Sequence, residues 1–349
     1  MIRFDVEGPY TDTGFARRLA EADLAAPDSY GEGKTIQECE AALAAALGKE
    51  RAVLFATGTL ANMVALDLLC ARGRRRVLLH RDSHVQNDTG DSLASVMGLT
   101  AIVADASGPG IDAAAIDKAA AQARLGKVAQ AIGAVCVETP VRRRHYETIP
   151  EPELAEAIAA ARRHGIALHL DGARLPVAAA AAGKSMAAFA APFDTVYLSL
   201  WKMLGLPFGA VLAGPAHLMA QAVQERRRLG GALPQFWPLA AVAKAGLARL
   251  EPDWRECFAW QARFCDELRA QGGPLPQLVG AAATNALWLR PKQPGAEFKE
   301  KCRTHGMVLG DIENDRVLVR INPTVLAHPP GSVALRLTQA DDGAAACAI

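Results

Sequence analysis

The feature of this sequence that most restricts its fold is an alternation of short apolar runs with longer alanine-rich stretches between residues 50 and 215. Short runs that are apolar throughout are typical of strands buried on both faces, and the intervening stretches are long enough for helices. The pattern therefore predicts an α/β fold with a mostly parallel seven-stranded sheet and helices on both faces. The predicted strands are 52–56, 77–80, 101–104, 134–137, 166–170, 195–199 and 210–213. Only ten residues separate the last two runs, which is too few for a helical crossover, so we expect those two strands to be antiparallel.

The character of the sequence changes after Leu229-Gly230-Gly231. A long helical region is predicted over 238–270, with a break at Glu251-Pro252, and short strands are predicted around 284–289 and 316–321. We interpret this second part as a smaller α+β domain. The predicted large domain spans 1–245, including an N-terminal arm, and the predicted small C-terminal domain spans 246–349.

Composition excludes several classes of protein. The 349 residues are 51% apolar, which is too apolar for a disordered chain, and the net charge of +1 argues against a nucleic-acid or membrane-surface binder. The most apolar stretch, 175–182, is far shorter than the roughly 20 residues that a membrane span needs. The seven cysteines are scattered without a C-x-x-C pair, and the N-terminus lacks the pattern of a signal peptide, so we expect a cytoplasmic protein.

An acidic residue follows one of the predicted strands. The run 166–170 is followed by Asp171, then by Gly172 and Arg174. In open α/β sheets, ligands bind at the carboxyl ends of the strands, so this position presents the Asp171 carboxylate to a bound cofactor. An aspartate here also suits capping of the following helix. Taken alone, the segment leaves both interpretations open.

A lysine follows the next predicted strand, in the otherwise apolar segment 200–204. A lysine removed from water has a lowered pKa and is nucleophilic as the free amine, which a Schiff base with an aldehyde cofactor requires. A lone lysine more often extends its charged end into solvent. Together, however, Lys202 and Asp171 form the pair that pyridoxal 5′-phosphate needs, an amine for its aldehyde carbon and a carboxylate for its pyridinium nitrogen.

A glycine turn after the first predicted strand offers a place for the cofactor phosphate. In Thr57-Gly58-Thr59-Leu60-Ala61-Asn62, a helix predicted to begin at Thr59 leaves backbone N–H groups, a hydroxyl and the positive helix end for an anion. A single glycine turn is a weak signal, and it gains weight only from Asp171 and Lys202. The chain has no G-x-x-x-x-G-K-[ST] and no G-x-G-x-x-G after a strand, which argues against nucleotide binding.

Two histidines lie between these elements, in His80-Arg81-Asp82-Ser83-His84. On a helix this spacing would make half of a metal site, but no third ligand is evident, and we expect no metal. The competing use for His84 is stacking of its imidazole on the pyridine ring of the cofactor. An ordinary surface histidine remains a third interpretation.

These motifs, in this order, resemble the pyridoxal-phosphate-dependent threonine aldolases and related β-eliminating lyases, which have the aspartate-aminotransferase-like fold type I. The resemblance covers roughly residues 28–250, with a fainter echo at 334–341, and the string His169-Leu170-Asp171-Gly172-Ala173-Arg174 is its most specific part. The other matching segments are Tyr30-Gly31-Glu32, Thr57-Gly58-Thr59-Leu60-Ala61-Asn62, His84, Glu138-Thr139, Lys202-Met203-Leu204-Gly205 and 227–231.

The resemblance implies roles for the residues that meet the cofactor. Lys202 forms the Schiff base, Asp171 pairs with the ring nitrogen and His84 stacks on the ring. The remaining residues of this chain that it places around the cofactor and its phosphate are Gly58, Thr59, Asn62 and Ser199.

The resemblance also implies a set of arginines. Arg174 reaches the ring hydroxyl or the substrate carboxylate. Arg336, from the small domain, is our first choice for clamping that carboxylate, and Arg320 is the second. Arg227 reaches the phosphate of a neighbouring subunit, which implies a homodimer or homotetramer with active sites at the dimer interface.

The chain departs from the family pattern in several places. Val6-Glu7-Gly8 stands where the family usually has a Ser-Asp-Thr that helps hold the substrate carboxylate, and Thr89 replaces an acid five residues past the stacking histidine. Trp201 stands where a small serine is common, and 143–148 replaces a Gly-Gly turn. These changes preserve the cofactor pattern and leave the substrate open.

The resemblance predicts a lyase that cleaves β-hydroxy-α-amino acids of the threonine or allo-threonine type to glycine and an aldehyde by retro-aldol cleavage. A β-eliminating lyase acting on a β-substituted amino acid is the alternative. A homologue that binds pyridoxal phosphate but has impaired catalysis is the third possibility.

Overall fold

A computed structural model describes residues 1–8, 14–22, 27–71, 73–104, 106–280 and 284–343; Cys347 lies outside them. The strands are β1 (Ile2–Arg3), β2 (Arg51–Phe55), β3 (Arg76–His80), β4 (Thr100–Ala104), β5 (Ile132–Glu138), β6 (Ala167–Asp171), β7 (Thr195–Ser199), β8 (Ala210–Gly214), β9 (Leu275–Leu278), β10 (Ala286–Arg290), β11 (Met307–Val308), β12 (Ile312–Glu313) and β13 (Arg316–Arg320).

Helices fill most of the chain between the strands. They are α1 (Gly14–Glu21), α2 (Lys34–Ala46), α3 (Gly58–Leu69), α4 (His84–Asn87), α5 (Ser92–Ser95), α6 (Ala113–Gln122), α7 (Glu151–Arg163), α8 (Leu175–Ala181), α9 (Met186–Ala190), α10 (Leu200–Leu204), α11 (Ala216–Arg228), α12 (Trp237–Ala270), α13 (Gly295–Thr304) and α14 (Pro330–Asp341). Short 3-10 helices lie at Arg142–Arg144 and Pro323–Ala327. No helix in the described part of the chain combines the length and apolarity that crossing a membrane would need.

Seven strands form the central sheet, in the order β2-β8-β7-β6-β5-β3-β4. Each predicted strand is present within one residue of its expected ends, except that β5 begins two residues earlier than 134–137. The strand β8 is antiparallel to both β7 and β2, while β3 to β7 are parallel, which confirms the expected direction of the last pair. The predicted α/β fold is therefore confirmed.

Successive residues of a strand point to opposite faces of the sheet, so strands that are apolar throughout place apolar side chains on both faces. Helices cover both of these faces. In β2, Val53 and Phe55 join one apolar core, which α3 and α11 also line. Leu54 joins the larger core on the opposite face, where α2 and α12 pack. The fully apolar runs in the sequence reflect this burial on both sides.

The C-terminal part contains a four-stranded antiparallel sheet, in the order β12-β13-β10-β9. Strands β10 and β13 lie at the two predicted positions, and β9 and β12 were not predicted. The break predicted at Glu251-Pro252 is wrong, because α12 runs through Pro252 without interruption. A proline inside a helix leaves one carbonyl without its partner, but Leu250 and Trp254, on either side, are buried in the core and hold the helix together. The boundary at 245/246 falls inside α12 and stays a prediction.

Candidate active site

The carboxyl ends of three neighbouring strands bring together polar side chains that could take part in chemistry. Glu138 ends β5, Asp171 ends β6 and Ser199 ends β7. Glu138 lies beside Asp171 in the register, and Asp171 lies beside Tyr197. This is the edge at which open α/β sheets bind ligands.

A chain of hydrogen bonds fixes the Asp171 carboxylate, which is almost completely buried. The Asn62 amide donates to Asp171 Oδ2 at 2.7 Å, so its Oδ1 is the acceptor for His169 Nε2 at 2.9 Å. The Nδ1 of His169 then accepts from the Thr195 hydroxyl at 2.8 Å. Burial lowers the pKa of His169 to about 4, which keeps the imidazole neutral. Asn62, expected at the phosphate, therefore has its side chain engaged with Asp171.

The His84 imidazole lies beside the same carboxylate. Its Nδ1 is 3.8 Å from Asp171 Oδ2, and this buried nitrogen has no hydrogen-bond partner among the described residues. Ser83 caps α4, and the His84 backbone N–H donates to Glu138 Oε2 at 2.6 Å. His80 ends β3 instead of sharing a helix with His84, so the helical spacing of a metal pair is not formed.

Glu138 is a buried acid that the sequence showed only as part of a matching segment. It accepts the backbone N–H groups of His84 and Arg142. Burial and the neighbouring Asp171 carboxylate raise the pKa of Glu138 to about 7. Its contacts show that it holds the start of α4, and with it His84, against the end of the sheet.

Lys202 lies on α10, directly after β7. Ser199 caps this helix by accepting the Lys202 backbone N–H at 3.4 Å. Burial and the nearby positive charge of Arg174 lower the pKa of Lys202 to about 8. Its Nζ lies 5.2 Å from the centroid of the Trp201 ring. The sheet thus brings a lysine with a lowered pKa to the same edge as Asp171 and His84.

The predicted phosphate turn lies at the N-terminus of α3. Thr57 caps that helix by accepting the Leu60 backbone N–H at 3.3 Å. A Cβ at Gly58 would lie 2.0 Å from the Tyr197 hydroxyl oxygen, so only glycine fits at this position. The helix start, with Gly58 and Thr59 in its first turn, therefore comes within contact of the strand that leads to Lys202, which fits a phosphate placed near both.

These residues suit pyridoxal phosphate on structural grounds. The turn without a side chain at Gly58, the unpartnered His84 Nδ1 beside the Asp171 carboxylate, and the Lys202 amine provide complementary groups for a phosphate, a ring and an aldehyde. The sequence matches the Beta-eliminating lyase family over residues 11–290. The chain belongs to that family.

Individual relatives agree with membership of the Beta-eliminating lyase family. The low-specificity L-threonine aldolase of Escherichia coli K12 is 30% identical over 298 residues, covering 82% of this chain and 84% of that protein. A Leishmania major threonine aldolase has a TM-score of 0.77 at 16% identity, covering 98% of this chain and 99% of the other. A serine palmitoyltransferase solved with pyridoxal phosphate has a TM-score of 0.70 at 18% identity, covering 98% and 87% of the two chains. The last two similarities concern the fold, which is fold type I.

Glu7, at one of the departures from the family pattern, lies in this site. Its carboxylate accepts two hydrogen bonds from Arg174, from Nε at 3.1 Å and from Nη2 at 2.6 Å, and a third from the Tyr146 hydroxyl. Burial would raise the pKa of Glu7, but the charge and hydrogen bonds of Arg174 outweigh it and lower the pKa to about 2. No local sequence signal indicates that residue 7 would pair with residue 174.

The two candidate carboxylate clamps from the C-terminal part lie in different surroundings. Arg320 Cζ is 5.2 Å from the centroid of the Tyr146 ring, and Arg174 Cζ is 4.8 Å from the same centroid. The Arg336 guanidinium instead donates to the backbone carbonyl of His305, with Nε at 2.9 Å. Among the described residues, Arg320 is therefore joined to the site through Tyr146, and Arg336 is not.

Arg227, expected to reach a neighbouring subunit, lies near the end of α11 and is exposed. Its Cζ lies 5.7 Å from the centroid of the Tyr30 ring, which is also exposed. This position is compatible with a contact to a second chain, and the predicted role of Arg227 stays a prediction.

Proposed function

We propose that this protein is a pyridoxal-phosphate-dependent aldehyde-lyase that cleaves β-hydroxy-α-amino acids, of the threonine or allo-threonine type, to glycine and an aldehyde. The observation that carries the proposal is the meeting of Lys202, His84 and the buried Asp171 at one edge of the sheet. Membership of the Beta-eliminating lyase family and the threonine aldolase relatives support it.

When bound, pyridoxal phosphate supplies an electron sink for the electron pair released as a bond to Cα breaks. Lys202 is the residue that would bond its aldehyde carbon. With a pKa of about 8, Lys202 Nζ is the neutral amine in roughly a tenth of the free protein at pH 7. That fraction is available as a nucleophile without a separate base.

Asp171 would hold the proton on the ring nitrogen. The neutral chain from Thr195 through His169 and Asn62 delivers one N–H to its carboxylate without adding a positive charge. These hydrogen bonds hold the Asp171 carboxylate in a fixed orientation towards the place of the ring nitrogen. The N-terminus of α3, with Gly58 and Thr59, would bind the phosphate.

His84 is our candidate for accepting the β-hydroxyl proton, through a water molecule. Burial lowers its pKa, so at neutral pH the ring is uncharged and able to take up a proton.

The substrate carboxylate would be held by Arg174 and by Arg320. We place Arg320 ahead of Arg336 because its Cζ lies against the same Tyr146 ring as the Cζ of Arg174. Its Nη1 donates to the Asp5 carbonyl and its Nη2 pairs with Asp311 Oδ2, both at 3.0 Å, so the substrate carboxylate would have to compete with Asp311 for Arg320. By fixing the substrate carboxylate, these arginines would set the orientation of the amino acid and so decide which bond to Cα is cleaved. The exposed Arg227 would complete the phosphate site of a second chain in a homodimer or homotetramer.

Product analysis tests the proposed reaction. Purified protein supplied with pyridoxal phosphate would be given threonine, allo-threonine, phenylserine and β-substituted alanines. Glycine and an aldehyde from the β-hydroxy amino acids support aldol cleavage, whereas pyruvate and ammonia from the substituted alanines would establish β-elimination instead. No turnover with any of them would favour a binding protein with impaired catalysis.

A matched pair of variants links that turnover to the site. Lys202→Ala should abolish it. Lys49→Ala removes another partly buried lysine, whose Nζ donates to the Ala190 and Phe193 carbonyls outside the site, and should leave turnover unchanged. Turnover that survives in Lys202→Ala would contradict the proposed role of Lys202.

A further inference from the structure

The segment 5–8 of the N-terminus, called the arm below, lies between strand β13 and helix α10. On one side, the Arg320 backbone N–H donates to the Phe4 carbonyl at 3.0 Å, and Arg320 Nη1 donates to the Asp5 carbonyl at 3.0 Å. On the other side, a Cβ at Gly8 would lie 1.8 Å from the carbonyl oxygen of Lys202. Glycine at position 8 therefore allows the arm to lie directly against the backbone of Lys202.

This close approach brings Glu7 to Arg174. Arg174 is almost completely buried, and Glu7 accepts from Nε and Nη2 along one edge of the guanidinium. Such a bidentate pair fixes the plane of the guanidinium as well as its position. The Nη1 end has no hydrogen-bond partner among the described residues, so it is the part of Arg174 that remains available to a ligand.

Tyr146 is held by the same carboxylate. Its hydroxyl donates to Glu7 Oε1, the oxygen that also accepts from Arg174 Nη2. Its ring lies within 5.2 Å of the Cζ atoms of both Arg174 and Arg320. The Glu7 carboxylate thus holds two side chains, Arg174 and Tyr146, and Arg320 meets this group through the Tyr146 ring.

Glu7 remains ionised in this arrangement, because its pKa of about 2 lies far below neutral pH. Removing the charge would leave the buried Arg174 guanidinium without its ionic partner, and an unpaired buried charge moves or gains water. The pair therefore keeps Arg174 in a single orientation.

We propose that Glu7 is a positioning residue for the substrate carboxylate, holding Arg174 by its Nε and Nη2 edge so that Nη1 is left to bind that carboxylate, with Tyr146 fixed beside it. The inference rests on the proposed function, in which the substrate is an amino acid. It also explains the departure from the family pattern at Val6-Glu7-Gly8. Gly8 allows the arm to pack against the Lys202 backbone, and Glu7 bonds Arg174.

Two small amines separate this role from a general structural one. Glycine and methylamine both have an amine that can react with the cofactor, but only glycine has a carboxylate. Absorbance titration of the protein loaded with pyridoxal phosphate would give a dissociation constant for each. In Glu7→Gln, we expect the glycine constant to rise about tenfold, as for one lost charge-assisted contact, and the methylamine constant to stay unchanged.

Other outcomes would overturn the proposal. Equal changes for the two amines would show a general effect on the site, and tighter glycine binding would show that Glu7 competes with the substrate carboxylate for Arg174. Asp5→Asn is the matched control, because Asp5 lies on the same arm and its side chain pairs with Arg3 of β1 at 2.7 Å. It should change neither constant.

A second variant covers the case in which Glu7→Gln fails to fold. Tyr146→Phe keeps the ion pair and removes one hydrogen bond to Glu7, so it should weaken glycine binding about threefold and leave methylamine binding unchanged. An unchanged glycine constant in this variant would also contradict the proposal. Failure of aldol cleavage would appear in product analysis and not in these titrations, so the two inferences fail separately.

Discussion

The cofactor end and the substrate end of the site are built in opposite ways. At the cofactor end, Asp171 receives its N–H through a series of neutral groups that lie on β6, β7 and α3. At the substrate end, a buried ion pair between Glu7 and Arg174 joins segments 167 residues apart in sequence. The difference shows that neutral hydrogen bonds between the sheet and α3 orient the cofactor residues, whereas the substrate residues depend on a charge pair with the N-terminal arm.

The largest effect is expected at the cofactor end. Asp171→Asn removes the negative charge that would stabilise the protonated ring nitrogen, and turnover should fall about a hundredfold or more, as when one preorganised electrostatic partner is removed. The measurement is the rate of aldehyde release with saturating substrate. Asp117→Asn, an exposed aspartate paired with Arg163, is the control. Normal turnover in Asp171→Asn would contradict the role of Asp171 at the cofactor end of the site.

A pair of arginine variants sharpens the substrate end. Arg320→Ala should raise KM about tenfold with a smaller change in kcat, because a charged hydrogen bond to the substrate carboxylate is lost. Arg336→Ala should leave KM unchanged, since its guanidinium contacts the His305 carbonyl and, unlike Arg320, not the Tyr146 ring. The opposite result would restore Arg336 as the clamp, as first expected from the sequence.

A smaller effect is expected from interrupting the series of neutral hydrogen bonds that ends at Asp171. Asn62→Ala removes one hydrogen bond to Asp171 while the carboxylate keeps its charge, so kcat should fall about fivefold. KM should change little, because the Asn62 side chain bonds Asp171 and His169 instead of Arg174 or Glu7. Steady-state kinetics give both values, and a rise in KM alone would indicate that Asn62 acts on the substrate instead.

The last prediction concerns the stability of the protein in acid and not its turnover. The pKa of Glu7 is lowered from 4.5 to about 2, so its contribution to the free energy of unfolding is complete above pH 4.5 and is lost as the pH falls towards 2. Urea unfolding across that range should show a shallower acid loss in Glu7→Gln than in the original protein. Identical slopes would show that Glu7 is not paired in the folded state.

Local patterns in the sequence predicted the fold because the burial of each strand and the length of each connection can be read from neighbouring residues. Seven apolar runs gave the strands of the central sheet, and the short connection before β8 gave its antiparallel direction. The helix break predicted at Pro252 was wrong because burial of Leu250 and Trp254 holds α12 together, and a local sequence pattern does not reveal that burial.

The candidate site was predictable to a different extent at its two ends. Asp171 and Lys202 each follow a strand, so their meeting at one edge follows from the topology. Glu7 lies on an arm with no regular structure, and its pairing with Arg174 depends on the absence of a side chain at Gly8. Choosing Arg320 over Arg336 likewise required the position of Tyr146, which only the folded chain provides.

The central claim is that this sheet edge binds pyridoxal phosphate through Lys202. The most direct test is to load the protein with the cofactor, trap the bond with borohydride, digest the protein and locate the adduct by mass spectrometry. The account predicts a single modified lysine, Lys202, at about one cofactor per chain. An adduct spread over exposed lysines, or confined to another site such as Lys49, would contradict it.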